Sequence, residues 1–321
     1  MSTHVVAVVG ATATGKSRLA VELARALRGE VVNADSMQLY QGMDIGTAKE
    51  PEAAWQGVPH HLLDIWPVTR TASAAEYATL ARAAISDIIG RGRVPILVGG
   101  SGLYVRAALG DLEFPGTDDG VRARLEDELA RLGPAELHAR LARLDPAAAA
   151  AILPGNGRRI VRALEVIEIS GRPFGATMPP YGSQGSPVQG RADPPAVQIG
   201  LTVPRPELDE RIAARVDRMW RAGFEAEVRG LVRAGLREGK TASRALGYRQ
   251  MLRYLDGEGT LDEARLETVK ATRRFARRQE SWFRRDPRVT WLDASTTAGA
   301  DPGERLLAAA LQHVRARTPS R

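Results

Sequence analysis

Gly10-Ala11-Thr12-Ala13-Thr14-Gly15-Lys16-Ser17 meets the pattern G-x-x-x-x-G-K-[ST], and its flanks are the ones the pattern requires. Before it, Val5-Val6-Ala7-Val8-Val9 is a short β-branched run, which predicts a buried strand. After it, Ser17 to Leu27 carries Leu19, Leu23, Ala26 and Leu27 near one face at helical spacing. Strand, glycine-rich loop and helix N-terminus together form a phosphate cradle. Backbone N–H groups point inward and the helix dipole favours an anion. Gly10, Ala11, Thr12, Ala13, Thr14, Gly15, Lys16 and Ser17 are therefore candidates for holding a di- or triphosphate. Lys16 adds a point charge, and the Ser17 hydroxyl can ligate Mg²⁺. A chance glycine turn is the competing reading, and the flanking context weighs against it. The loop alone does not say whether a phosphoryl group moves.

The chain of 321 residues suffices for one large domain or for a core with an inserted second domain. It contains no cysteine, which excludes disulfides, thiolate zinc sites and a cysteine nucleophile. No apolar run approaches the ~20 residues that span a bilayer. The first residues lack a charged segment ahead of their apolar run. The expectation is a cytoplasmic protein with no membrane partner. A net charge of +7 favours a polyanionic partner, although a solvated basic surface gives the same count.

Glu30-Val31-Val32-Asn33-Ala34 reads as a second strand ending at Asp35, and Val94–Val98 as a third ending in Gly99-Gly100-Ser101-Gly102. Ser73-x-x-Glu76 is a capping box opening a helix to about Ile89. Short apolar strands alternating with helices imply an α/β fold, a P-loop NTPase-like parallel sheet flanked by helices. Ligands of such sheets lie at the carboxyl ends of the strands, which groups Gly10–Ser17, Asp35 and Gly99–Gly102 around one cleft. From Thr117 the texture turns helical: Val121–Leu132, Ala135–Leu144, Ala147–Ala151 and Arg158–Ile169. Gly171–Pro195 is rich in Gly, Pro and Ser and reads as an extended connection. Val197–Val203 is strand-like again. The expected organisation is a catalytic core of residues 1–116 and 197–321 with an inserted all-helical domain over 117–196.

Asp35 admits three readings: a Mg²⁺-associated carboxylate, a general base, or an N-cap opening a helix at Ser36. The Ser101 hydroxyl can donate to a phosphate oxygen or be an idle loop group. Arg158, Arg159 and Arg162 lie within two helical turns, with Arg159 and Arg162 on one face. Near the C-terminus Lys270, Arg273, Arg274, Arg277 and Arg278 repeat at i, i+3, i+4, followed by Arg284 and Arg285. Such a stripe repels itself unless an anion lies along it, so it points to nucleic acid. Phe275, Trp282 and Phe283 are expected on the opposing, core side.

Several motifs converge on one family. GATATGKS, DSMQLYQGMDIGTAK at Asp35–Lys49, PHHLLDI at Pro59–Ile65, GGSGLY at Gly99–Tyr104 and RRIVRALEV at Arg158–Val166 occur in this order. GFEAEV at Gly223–Val228, RALGYRQM at Arg244–Met251 and RRFARRQESWFRRD at Arg273–Asp286 follow. Together they cover most of the chain, and the chain resembles the bacterial tRNA dimethylallyltransferases, or tRNA isopentenyltransferases. The first motif is shared by many nucleotide-binding proteins; its combination with DSMQLY…GTAK and ALGYRQ is specific.

The resemblance implies that the loop holds the diphosphate of dimethylallyl diphosphate, with Mg²⁺. The acceptor is N6 of the adenosine 3′-adjacent to the tRNA anticodon. Asp35 looks like the base for that weakly nucleophilic amine. Lys16, Ser101 and Arg215 would meet the charge of the departing diphosphate; the competing reading of Arg215 is an exposed helix charge. The adenosine must be extruded into the cleft. By resemblance Asp35, Ser36, Met37 and Gln38, with Ser101, lie against it. Further tRNA contacts map onto Arg122, onto Arg158, Arg159, Ile160, Val161 and Arg162, and onto Arg244, Ala245, Leu246, Gly247, Tyr248 and Arg249. The helical insertion would grip the anticodon stem-loop, and the protein would act as a monomer. Ala11, Ser101 and Arg158 stand where the family often has proline, threonine and glutamine.

Three other functions fit the phosphate loop alone: a P-loop kinase, a GTP-switch RNA-binding protein, and a prenyltransferase of free adenine nucleotides. The chain has no Asn-Lys-x-Asp guanine-recognition sequence. The helical insertion and basic C-terminal helix favour an RNA acceptor over a free nucleotide.

Overall fold

A computed structural model describes residues 4–110, 112, 114–177, 195–295 and 302–317. Its contacts divide the chain into two compact units, Met1–Leu109 with Asp193–Arg321, and Gly110–Ala192.

The first unit is built on six parallel strands: β1 (Val5–Gly10), β2 (Gly29–Asn33), β3 (His60–His61), β4 (Val94–Gly99), β5 (Ala196–Thr202) and β6 (Val289–Asp293). Their order is β3-β2-β4-β1-β5-β6. Val8 pairs with Val98 on one side and Ile199 on the other, which places the ends of β1 and β4 side by side. Helices α1 (Lys16–Leu27), α2 (Ala74–Gly90) and α3 (Gly102–Ala108) alternate with the first strands. Leu19 and Leu23 of α1 share a core with Val6, Val8, Val31, Ile96, Ile199 and Leu201. The intervening Val5, Ala7, Val9, Val32 and Leu97 are fully buried too. Strands covered on both faces read as continuous apolar runs, which is why they are visible in the sequence. At the end of β1, Gly10 has φ 133°, and a Cβ there would lie 2.8 Å from the Leu201 carbonyl oxygen. The strand can therefore turn into the loop only at a glycine.

The Gly110–Ala192 unit is helical: α4 (Asp119–Leu132), α5 (Pro134–Leu144), α6 (Pro146–Ala151) and α7 (Gly157–Ser170). Its core is Leu125, Leu137, Leu141, Ile152, Ile160, Val161 and Leu164. Each start has a local cause. Asp118 accepts from Val121 N at 2.9 Å, Asp145 from Ala148 N at 2.9 Å and Asn156 from Arg159 N at 3.3 Å. Pro134 and Pro146 occupy first-turn positions. Arg162 donates to the carbonyls of Pro115 and Gly116 at 2.9 and 3.2 Å, tying that segment to this unit. The contact boundary accordingly precedes residue 117. Of the connection read over Gly171–Pro195, residues 178–194 lie outside the described residues.

The chain then returns to the first unit through β5, α8 (Arg205–Arg221), α9 (Phe224–Arg233), α10 (Tyr248–Leu255), α11 (Leu261–Phe283), β6 and α12 (Pro302–Arg317). No described helix is long and apolar enough to cross a membrane.

Candidate active site

The loops that leave the carboxyl ends of β1, β2 and β4 meet, as the topology requires. Helix α1 starts on Gly15, whose φ of 90° is left-handed, and no side chain caps its first turn. Its N-terminal amides are thus left for an anion. Thr14 Oγ1 and Lys16 Nζ both donate to the Ala11 carbonyl, at 2.9 and 2.5 Å. Burial pushes the Lys16 ammonium down to about 7; the Arg215 charge adds to this and Asp35 opposes it. Burial likewise lowers Arg215, with Asp35 and Glu50 opposing. Arg215 is therefore in electrostatic contact with both Lys16 and Asp35, and the exposed-charge reading of this arginine is excluded.

Asp35 follows β2 without opening a helix. Residues 36–39 form a turn, so the N-cap reading is set aside. Its Oδ1 accepts Met37 N at 3.0 Å, and its own N–H donates to Asn33 Oδ1 at 2.8 Å. Asn33 Nδ2 in turn donates to the carbonyls of Asp35 and Leu62. The carboxylate is thus held in a fixed turn, and Oδ2 accepts nothing among the described residues. Ser101 Oγ accepts Ser36 N and lies 3.3 Å from Ser36 Oγ, joining the β2 and β4 loops. Gln38 Nε2 donates to the Thr47 carbonyl at 3.3 Å.

Helix α11 fastens these loops in a way the sequence did not suggest. Buried Gln279 accepts Thr12 N through Oε1 and donates to the Gly100 carbonyl through Nε2, both at 2.9 Å. Cβ atoms at Gly100 and Gly102 would fall 2.2 Å from Gln279 Nε2 and 2.1 Å from Trp282. The glycines after β4 therefore make room for α11. The aromatic residues expected on a core face divide: Phe283 is buried, Trp282 covers Gly102, and Phe275 faces a cavity. The basic stripe divides as well. Arg273 donates to the Asp209 carbonyl at 3.2 Å, so it is tied to α8 rather than offered to a partner. Lys270, Arg274, Arg277 and Arg278 are exposed, and Arg278 also lies 5.7 Å over Phe275 at the cavity.

The cavity encloses about 430 Å³. Thr12, Asp35, Ser36, Ser101 and Arg215 form its polar end; Met37, Ile212, Val216, Met219, Phe224 and Phe275 supply apolar wall. Arg244, Ala245, Leu246, Gly247, Tyr248 and Arg249 line it too. Of this segment Arg244 and Arg249 are exposed, while Tyr248 is fully buried and its hydroxyl is committed to Glu227 at 2.6 Å. Tyr248 therefore serves as wall rather than as a surface contact.

In the helical unit, Arg158 and Arg159 are exposed at the start of α7. Ile160 and Val161 are 0% and 3% exposed, so their side chains pack in the helical core. Arg122 and Arg162 share the buried Glu165 carboxylate at 2.5 and 2.8 Å. Their first role is to neutralise it.

No group of three or more His, Asp or Glu side chains among the described residues could hold a metal. Oxygen donors of the cradle loops include the Ser17 hydroxyl at the start of α1 and the Asp35 carboxylate, which is in electrostatic contact with Lys16. That set fits a divalent ion carried on a bound diphosphate, with phosphate and water filling most of its positions.

Comparison with known proteins accords with this geometry. The family profile described as IPP transferase matches residues 38–286. The tRNA dimethylallyltransferase of Thermobifida fusca is 68% identical over 297 residues, 91% of this chain and 90% of the relative. That of Streptomyces coelicolor is 68% identical over 289 residues, 90% of each. The crystal structure of the tRNA isopentenylpyrophosphate transferase of Bacillus halodurans is 39% identical with a TM-score of 0.70, covering 98% of both chains. A eukaryotic dimethylallyltransferase crystallised acting on tRNA is 25% identical with a TM-score of 0.79, covering all of this chain and 81% of that one.

Proposed function

The chain belongs to the IPP transferase family, and from that premise we propose that it moves the dimethylallyl group of dimethylallyl diphosphate to tRNA. The acceptor is N6 of the adenosine 3′-adjacent to the anticodon, and diphosphate is released. One observation carries the reading. Arg215 and Asp35 line one cavity together with the apolar side chains of Met37, Ile212, Val216, Met219, Phe224 and Phe275, and Lys16 is in electrostatic contact with both polar residues. A bound diphosphate would balance the cations, and the apolar wall suits a hydrocarbon substituent. A kinase would instead need a base and ribose next to the phosphates.

The chemistry then follows from the residues. The bond between C1 and the diphosphate oxygen breaks, and that oxygen gains charge. Lys16 and Arg215 answer it, together with the loop N–H groups and the Ser101 hydroxyl. The Ser17 hydroxyl would hold a divalent ion such as Mg²⁺, which would supply Lewis-acid offset of the negative charge on the departing diphosphate. N6 bonds to C1, and its proton passes to Asp35, whose Oδ2 is unoccupied and whose turn holds it still. The extruded adenosine enters beside Met37 and Ser101. Arg244 and Arg249 contact the backbone around it, and the Gly110–Ala192 unit grips the anticodon stem-loop through Arg158 and Arg159. The protein does this as a monomer in the cytoplasm.

The test is to supply labelled dimethylallyl diphosphate with tRNA or AMP as acceptor. Label should enter tRNA. Label in AMP, or phosphoryl transfer from ATP, would overturn the reading. Asp35→Ala should slow single-turnover transfer by about 10²–10⁴-fold while tRNA affinity changes little. A rate within a few-fold of wild type would remove Asp35 as the base.

A further inference from the structure

The N–H groups of Asp44, Ile45 and Gly46 all donate to one carboxylate, that of Glu227 on α9, at 3.1, 2.6 and 3.2 Å. Tyr248 Oη donates to it at 2.6 Å. Consecutive amides that converge in this way form an anion-binding concavity, here filled by a side chain of the same chain. Beneath it, a Cβ at Gly46 would lie 2.3 Å from Phe224 and 2.6 Å from Tyr248, so the loop is pressed directly onto those rings. The next residue, Thr47, turns its carbonyl to Arg215 Nη2 at 3.0 Å and to Gln38 Nε2 at 3.3 Å. Its hydroxyl donates to the Met43 carbonyl at 2.6 Å. Among the described residues Arg215 forms no salt bridge, so the Thr47 carbonyl is what orients its guanidinium.

We infer that Glu227 is a positioning residue for diphosphate binding: it clamps Asp44–Gly46 so that the Thr47 carbonyl aims Arg215 into the cavity. The inference rests on the reading of Arg215 as a diphosphate ligand. Nothing in the spacing of Glu227 suggested the role, because its partners lie about 180 residues away. Glu227 itself does not line the cavity. Its effect must pass through the loop, which makes it separable from that of a direct ligand.

A double-mutant cycle with inorganic diphosphate as the probe decides the matter. In Glu227→Gln an amide nitrogen replaces one acceptor oxygen, so at least one of the four donors loses its partner. Loss of a hydrogen bond to a charged group corresponds to about a tenfold effect. The expected result is about tenfold weaker diphosphate binding, a similar fall in kcat for prenyl transfer, and a KM for tRNA unchanged within about twofold. The same substitution in an Arg215→Ala background should change diphosphate affinity by less than about twofold, since coupled residues are non-additive. Tyr248→Phe removes one donor and should show the same dependence on Arg215 with a smaller effect; it decides the question if Glu227→Gln does not fold. Equal losses in both backgrounds, or wild-type affinity in Glu227→Gln, would overturn the inference. A wild-type chain that binds diphosphate but does not prenylate tRNA would instead refute the proposed function, with this cycle still valid.

Discussion

Lys16 is a cation that the fold holds near the limit of its charge. Burial and the neighbouring Arg215 push it down to about 7, so close to neutrality a large fraction is uncharged before any ligand arrives. An arriving diphosphate favours the ammonium and raises it again. The sign follows from linkage. Well below pH 7 the side chain is already charged, and binding takes up no proton there. As the pH rises through 7, each binding event must protonate Lys16, so affinity falls by up to about tenfold per unit. The diphosphate has its own ionisations, which Lys16→Arg controls for, because guanidinium stays charged throughout. The difference between the wild-type and Lys16→Arg affinity profiles should open above pH 7. Calorimetry at pH 8 in two buffers of different ionisation enthalpy should show proton uptake by wild type and less by the variant. Identical profiles and no uptake would mean that Lys16 is charged throughout, and the two-cation account of the cavity would lose its support.

At the scale of elements, α11 matters less as a basic rod than as a brace. Its Gln279 joins the loop after β1 to the loop after β4, so the two halves of the diphosphate cradle are set by a residue from a third element. Gln279→Leu keeps the volume but leaves the Gly100 carbonyl buried and unpaired, at about 1–3 kcal/mol, and releases the half-buried Thr12 N–H from its partner. The expected outcome is a Tm lowered by several degrees, at about 2–4 °C per kcal/mol, together with weaker diphosphate binding. An unchanged Tm would show that the brace contributes nothing. This element also marks where sequence reasoning stops. The strands β1 and β4 were legible because strands buried on both faces are unbroken apolar runs, β2 and β5 by shorter apolar stretches beside polar residues, and the cleft followed from their parallel arrangement. The strand β3, only two residues of half-buried histidine, and β6, with a half-buried Thr-Trp-Leu, carry no such run. Asp35, Ser101, Lys16 and Ser17 could be named because each ends a strand or opens a helix. Gln279 and Glu227 could not, since their meaning depends on partners 267 and about 180 residues away. Within Arg158–Arg162, Ile160 and Val161 are buried for a related reason. A helix that presents arginines on one face must bury the residues between them.

For the molecule as a whole, the net charge of +7 says less than how the arginines are spent. Many are neutralised locally: Arg265 by Asp217, Arg284 by Glu280, and Arg122 and Arg162 by Glu165. On α11, Arg273 belongs with these, because it is tied to Asp209 of α8. Arg274 and Arg277 do not; both are exposed and form no ion pair among the described residues. If a polyanion lies along this helix, these two release counterions and Arg273 does not. Neutralising both as Arg274→Gln and Arg277→Gln should reduce the slope of log affinity for tRNA against log salt by roughly one to two, at about 0.7–0.9 per phosphate contact. Phosphate contacts position without reading sequence, so the single-turnover rate at saturating tRNA should stay near wild type. Tm should not move, since exposed charges without partners contribute little. Arg273→Gln should do the reverse, lowering Tm while leaving the salt slope unchanged. Measuring both quantities on both variants separates a nucleic-acid face from a solvated one. An unchanged slope in the Arg274/Arg277 double variant would assign the excess charge on α11 to the solvent, and tRNA affinity would then have to come from Arg244, Arg249 and the helical unit.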